Sequence, residues 1–124
     1  MVLIVDDERA IREFVRGVLE REGYEVIEAG GSAEALGILA EKSADLLLTD
    51  VVMPDMNGLE LAAQVHKLYP QLPVVFMTGF AEEYRDVLTG TVCLPKPFKV
   101  GELLSIVENV IGPPSKTTRG STIR

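Results

Sequence analysis

Leu46-Leu47-Leu48-Thr49-Asp50-Val51-Val52-Met53-Pro54-Asp55-Met56-Asn57-Gly58 is the stretch on which the reading of the fold turns. Its first four residues form a short apolar run without alternation, the pattern of a parallel strand buried on both faces. The run ends on an acid, Asp50, and gives way to a loop rich in turn residues from Met53 to Gly58. Asn57 followed three residues later by Glu60 resembles a capping box. It opens a helix that carries Leu61, Ala62, Val65 and Leu68 on one side. The order is therefore strand, acid at the carboxyl end, loop and helix.

The same order recurs on either side. Val2-Leu3-Ile4-Val5 is another continuous apolar run and ends in Asp6-Asp7. Ile11, Phe14, Val15, Val18 and Leu19 then follow at helical spacing until Gly23 stops the helix. Tyr24 to Glu28 reads as a second strand, Gly30-Gly31 as punctuation, and Ser32 as the cap of a helix with Ala35, Leu36, Leu39 and Ala40. Beyond Tyr69-Pro70, Pro73 to Met77 makes a fourth strand. A short amphipathic stretch follows, with Ala81, Tyr84, Val87 and Leu88 together, and Thr91 to Leu94 is a fifth strand. A last helix runs from Val100 to Ile111 with Leu103, Leu104, Val107 and Ile111 inward, and Gly112-Pro113-Pro114 ends it. Five strand-then-helix units predict an α/β fold, a five-stranded parallel sheet with helices on both faces. The expected domain covers 1–112, with 113–124 as a flexible tail or linker.

Composition fits that reading. The chain has 124 residues, 47% hydrophobic and 25% charged, enough for one ordinary globular domain without disulfides. Its single cysteine, Cys93, has no internal partner, which favours a reducing, cytoplasmic setting. The apolar start is too short for a signal peptide, and no stretch is long enough for membrane insertion. A net charge of −7 argues against direct nucleic-acid binding over a broad surface and permits attraction of a cation or a basic partner.

The acids matter by position. In doubly wound sheets, ligands bind beyond the carboxyl ends of the strands where the strand order reverses. The order 2-1-3-4-5, adopted by analogy, places that point between the first and third strands and brings Asp6, Asp7 and Asp50 to one crevice. Clustered carboxylates repel and raise one another's pKa. A hard divalent cation, Mg²⁺ or Mn²⁺, resolves the conflict and keeps open positions for phosphoryl oxygens. Thr78 and Lys96 end the fourth and fifth strands and join the set as hydroxyl donor and positive clamp. Each alone has a plain structural alternative: a helix cap for Asp7, a strand end for Asp50, a turn for Thr78, a salt bridge for Lys96.

Taken together, these residues resemble the receiver domain of response regulators in two-component signalling. The likeness is carried by Asp6-Asp7, by Leu47-Leu48-Thr49-Asp50 with Met53-Pro54 and Asn57-Gly58, by Thr78-Gly79, and by Lys96-Pro97-Phe98, and it spans Met1 to Ile111. It implies a flavodoxin-like receiver fold. It implies that Asp50 takes a phosphoryl group from the phosphohistidine of a histidine kinase or histidine phosphotransfer protein. Asp7 directly, Asp6 through water, Asp50 and the Val52 carbonyl would hold the cation. Lys96 would hold a phosphoryl oxygen, Thr78 would move toward it, and the Lys96-Pro97 bond would be cis. Homodimerisation on phosphorylation is compatible with the resemblance, and the sequence leaves it open. The domain could stand alone or belong to a hybrid kinase.

Three departures qualify the likeness. Cys93 stands where the family places an aromatic switch residue, so it reads as a small core residue. The segment from Thr78 to Lys96 is about a turn short, so the fourth helix is expected to be short or irregular. No output domain follows in this sequence. Two other functions remain on the table. An aspartyl-phosphate phosphatase or mutase would want an acid where Val52 stands, and a docking-only domain would not need the acidic set. His66, Tyr84 and Phe98 read as ordinary helix and packing residues.

Overall fold

Leu46, Leu47 and Leu48 are fully buried because their strand lies in the middle of the sheet. The computed structural model describes residues 1–114. Its elements, in chain order, are β1 (Val2–Val5), α1 (Arg9–Glu22), β2 (Val26–Ala29), α2 (Ser32–Leu39) and β3 (Leu46–Asp50), then α3 (Gly58–Leu68), β4 (Val74–Thr78), α4 (Arg85–Leu88), β5 (Val92–Pro95) and α5 (Val100–Ile111). The strands form one parallel sheet in the order β2-β1-β3-β4-β5. Residues 115–124 of the expected tail lie outside the described residues.

Alternation along the central strands builds two cores. Ile4, Leu48 and Met77 meet Val15 and Leu19 of α1 and Leu103 and Val107 of α5 on one face. Leu3, Val5 and Leu47 meet Ala35 and Leu39 of α2 and Leu61 and Val65 of α3 on the other. Burial on both faces is why these strands read as continuous apolar runs. A smaller cluster of Val51, Phe76 and Leu88 lies under α4.

The boundaries differ from the sequence reading where the chain does something tertiary. β2 starts at Val26, because Tyr24 belongs to the end of α1: its backbone N–H donates to the Leu19 carbonyl at 3.0 Å, beside a left-handed Gly23. Its hydroxyl donates to the Gly112 carbonyl at 2.9 Å and ties the end of α5 to the start of β2. Ser32 does not cap α2. Gly31 holds the N-cap position, and the Ser32 hydroxyl donates to the Met56 carbonyl at 2.8 Å. The first turn of α2 is instead served from the β3–α3 loop, where the Asp55 carboxylate accepts the Ala33 N–H at 3.1 Å. α4 is a single turn, short as expected, but it buries only Leu88. Val87, expected beside it, is 58% exposed. The Asn57–Glu60 capping box and the cis Lys96-Pro97 bond are both present. Among the described residues, no helix is long and apolar enough to cross a membrane.

Candidate functional site

The register of the sheet assembles the crevice. Val5 of β1 pairs with Thr49 of β3, so Asp6 and Asp50 leave adjacent strands at the same level. Thr78 of β4 pairs with Pro95 of β5, and the Lys96 N–H donates to the Thr78 carbonyl at 2.8 Å, which brings the lysine to the same edge. One carboxylate oxygen from each of Asp6, Asp7 and Asp50 lies within 4.8 Å of the others.

The three acids are held differently. Asp6 is fully buried, and both its oxygens are engaged: Oδ1 accepts the Glu8 N–H at 2.9 Å and Oδ2 accepts Lys96 Nζ at 2.8 Å. Asp50 is buried with its carboxylate at the floor. Its Oδ1 accepts the Val51 N–H at 2.8 Å, and its Oδ2 lies 3.4 Å from Lys96 Nζ. Asp7 is exposed, and no protein hydrogen bond to its carboxylate occurs among the described residues.

Electrostatics follow from that geometry. Burial pushes the Asp50 carboxyl above its ordinary value. The Lys96 charge opposes the rise, and the neighbouring Asp6 adds to it. Burial pulls the Lys96 ammonium down, but the hydrogen bond and charge of Asp6, with the charge of Asp50, outweigh it and leave the pKa raised. The lysine is therefore fixed in its charged form between two carboxylates.

The remaining expected residues fall where the register puts them. Thr78 is fully buried, and its Oγ1 accepts the Phe80 N–H at 2.9 Å, which leaves its own proton free to donate. Val52 and Phe80, 40% and 48% exposed, stand on the rim beside Glu83 and Tyr84. Cys93 is half-buried against the cluster under α4, and burial pushes its thiol up. Pro97 follows the lysine, and with Ile11, Phe14 and Phe98 it lines a shallow apolar groove next to it. His66 is exposed on α3, away from the crevice.

Two features of the site escaped the sequence reading. Gly58 is needed for close approach: a Cβ there would stand 2.0 Å from the Asp50 carbonyl oxygen. Its signal was a glycine placed directly after the Asn57 cap. Arg12 reaches from α1 to the Asp6 carbonyl at 2.6 Å and pairs with Glu28 of β2. Its signal was an acid, Glu28, inside an otherwise apolar strand.

A doubly wound sheet with three carboxylates and a lysine at its topological switch defines a class of regulatory phosphoacceptor modules. The family description "response regulator receiver domain" matches residues 2–108, and the chain belongs to that family. It is similar to the receiver protein CpdR of Brucella abortus, 35% identical over 114 residues, covering 89% of this chain and 95% of that protein. It is also similar to the DNA-binding transcriptional regulator NtrC of Bradyrhizobium, 37% identical over 93% of this chain. The chain spans about a quarter of the length of that relative. Among solved structures, TrrA of Thermotoga maritima in complex with Mg²⁺ and BeF superposes with a TM-score of 0.81 at 32% identity, covering 88% of this chain and 96% of that one.

Proposed function

We propose that the domain is a phosphorylation switch in which Asp50 accepts a phosphoryl group from the phosphohistidine of a histidine kinase or histidine phosphotransfer protein. The observation that carries this is the crevice itself, three carboxylates within 4.8 Å of one another with Lys96 Nζ 2.8 Å from Asp6 and 3.4 Å from Asp50. The donor set fits Mg²⁺ or Mn²⁺, because it is all hard oxygen. Asp7 and Asp50 would offer carboxylate oxygens, the Val52 backbone carbonyl would be a further ligand by the family likeness, and Asp6, with both oxygens engaged, would act through water. When bound, the cation offsets the charge of the carboxylates and of the incoming phosphoryl oxygens.

In the transfer, an Asp50 oxygen attacks phosphorus, an O–P bond forms, and the P–N bond to the donor imidazole breaks with its electron pair leaving on nitrogen. Lys96, already charged, holds a phosphoryl oxygen. Thr78 donates its free hydroxyl proton to another and so registers that the group is present. The change alters partner binding or self-association, with the domain acting in the cytoplasm.

Reversal requires water to attack the acyl phosphate. Val52 and Phe80 flank its path, and neither side chain can orient it by hydrogen bonding. Phospho-Asp50 is therefore expected to persist for minutes or longer, and V52N to shorten its life; a wild-type half-life of seconds refutes this. The direct test is incubation with an acyl phosphate and Mg²⁺, read by intact mass. One added phosphate in the wild type and none in D50A is the expected result. Uptake by D50A overturns the reading.

A further inference from the structure

Arg12 lies on the first turns of α1, yet its side chain does not point to solvent. It is only 18% exposed, and its Nη1 donates to the backbone carbonyl of Asp6 at 2.6 Å. Its Nε donates to Glu28 Oε1 at 3.1 Å. Glu28 is in turn held by Arg16, whose Nη1 donates to Oε2 at 3.1 Å. Glu28 sits on β2 one residue before Ala29, whose carbonyl accepts the Asp6 N–H at 3.2 Å. The peptide groups on both sides of Asp6 are thus tied down, one to the β2 backbone and the other to a guanidinium that β2 itself braces. Burial alone would raise the Glu28 carboxyl, but its hydrogen bonds to Arg16 and Arg12 keep it below its ordinary value, so the brace is charged.

This arrangement is more than a surface ion pair. The Asp6 carbonyl belongs to the peptide that joins Asp6 to Asp7. Fixing it sets the direction in which the Asp7 backbone, and so the exposed Asp7 carboxylate, leaves the strand. The planar guanidinium of Arg12, with donors in fixed directions, holds Glu28 and that carbonyl together. We propose that Arg12, braced by Glu28, is a positioning residue that sets the cation affinity of the crevice by fixing the Asp6–Asp7 peptide. The inference rests on the cation reading of the crevice.

Electrostatics and positioning have opposite signs here, which makes the idea decidable. Arg12 carries a positive charge close to the acids. If it acted only through that charge, removing it would tighten cation binding. If it positions Asp7, removing it weakens binding.

The experiment is a Mn²⁺ titration of the full chain, followed by electron paramagnetic resonance, at fixed pH and ionic strength. Wild type and D7N come first. If wild type has no saturable site, or D7N binds as wild type does, the cation reading fails. If wild type binds and D7N does not, R12M is expected to keep a single site whose dissociation constant is about tenfold higher or more, as for outer supports of metal ligands elsewhere. R12K, which keeps the charge and loses the fork, should be weakened too. Unchanged or tighter binding by R12M overturns the inference. So does full rescue by R12K, and so does a lower fraction of competent protein at an unchanged dissociation constant, which is a folding defect alone.

Discussion

Gly58→Ala tests whether the phosphoacceptor strand and α3 are in backbone contact. The added Cβ would lie 2.0 Å from the Asp50 carbonyl oxygen, 3.0 Å from its carbonyl carbon and 3.1 Å from Val51 Cα. All three are backbone atoms, so no side chain can swing aside. Relief to even a tight contact means parting the chains by about 1 Å, which in packed interiors costs about 1–3 kcal/mol. The same movement stretches the Gly58 N–H bond to the Val51 carbonyl, now 2.7 Å long, and its loss adds about 1 kcal/mol. Alanine returns at most about 1 kcal/mol through its better helix propensity. The net expectation is destabilisation by about 2 kcal/mol. For a domain of this size that is a fall of about 8 °C in melting temperature. Urea denaturation with a parallel thermal melt measures it. Gly17→Ala is the matched control. It lies inside α1 with nothing within 4 Å of the added Cβ, so it should stabilise by up to about 1 kcal/mol. If G58A is as stable as G17A, the close approach does not exist and the reasoning fails. Because the displaced oxygen belongs to Asp50, G58A should also bind Mn²⁺ more weakly.

Three further outcomes are expected. Without added cation, D50N should be more stable than wild type at neutral pH. The folded Asp50 carboxyl titrates above its ordinary value of 3.8, so its ionisation costs stability that grows as pH rises from that value and is absent below it. Urea midpoints at several pH values should show the D50N advantage vanish in acid, and saturating Mg²⁺ should shrink it. D55A removes the carboxylate that serves the first turn of α2 and should cost no more than about 1 kcal/mol. The Ala33 and Met56 N–H groups hold the Asp55 carboxyl below its ordinary 3.8, so its contribution is complete above that value and fades as pH falls below it. Y24F deletes the bond to the Gly112 carbonyl and should cost about 1 kcal/mol in the same denaturation assay.

What could be read from sequence, and what could not, divides along a physical line. Strands buried on both faces write themselves as apolar runs, so β1 and β3 were legible with the acids at their carboxyl ends. α5 runs from Val100 to Ile111 as its periodicity and the glycine after it indicate. The strand order came by analogy, because apolar runs do not say which neighbour they pair with. Errors arose where one side chain served a distant backbone group. Ser32 looks like a cap because serine usually caps from its own position, but here the Met56 carbonyl takes its hydroxyl, and Asp55 from another loop serves the helix. Val87 looks inward because helical spacing assumes more than the single turn α4 makes. Arg12 was missed because hydrophobic periodicity is blind to a guanidinium that turns back onto a carbonyl.

The crevice also constrains the order in which its charges are satisfied. Asp6 is fully buried, and an unpaired buried carboxylate costs several kcal/mol. Before any ligand arrives, Lys96 meets that need, and its shorter contact is accordingly to Asp6, 2.8 Å against 3.4 Å for Asp50. Phosphorylation makes a competing demand on the same ammonium, because the acyl phosphate on Asp50 is more negative than the carboxylate it replaces. The ammonium can turn toward that phosphate only if another positive charge stands near Asp6. On the proposed function, a divalent cation held at the neighbouring Asp7 and Asp50 would supply that charge. Cation binding and the grip of Lys96 on the phosphoryl group are then linked. The dependence of phosphoryl uptake on Mg²⁺ should therefore be steeper for wild type than for K96A, which has no ammonium to redirect.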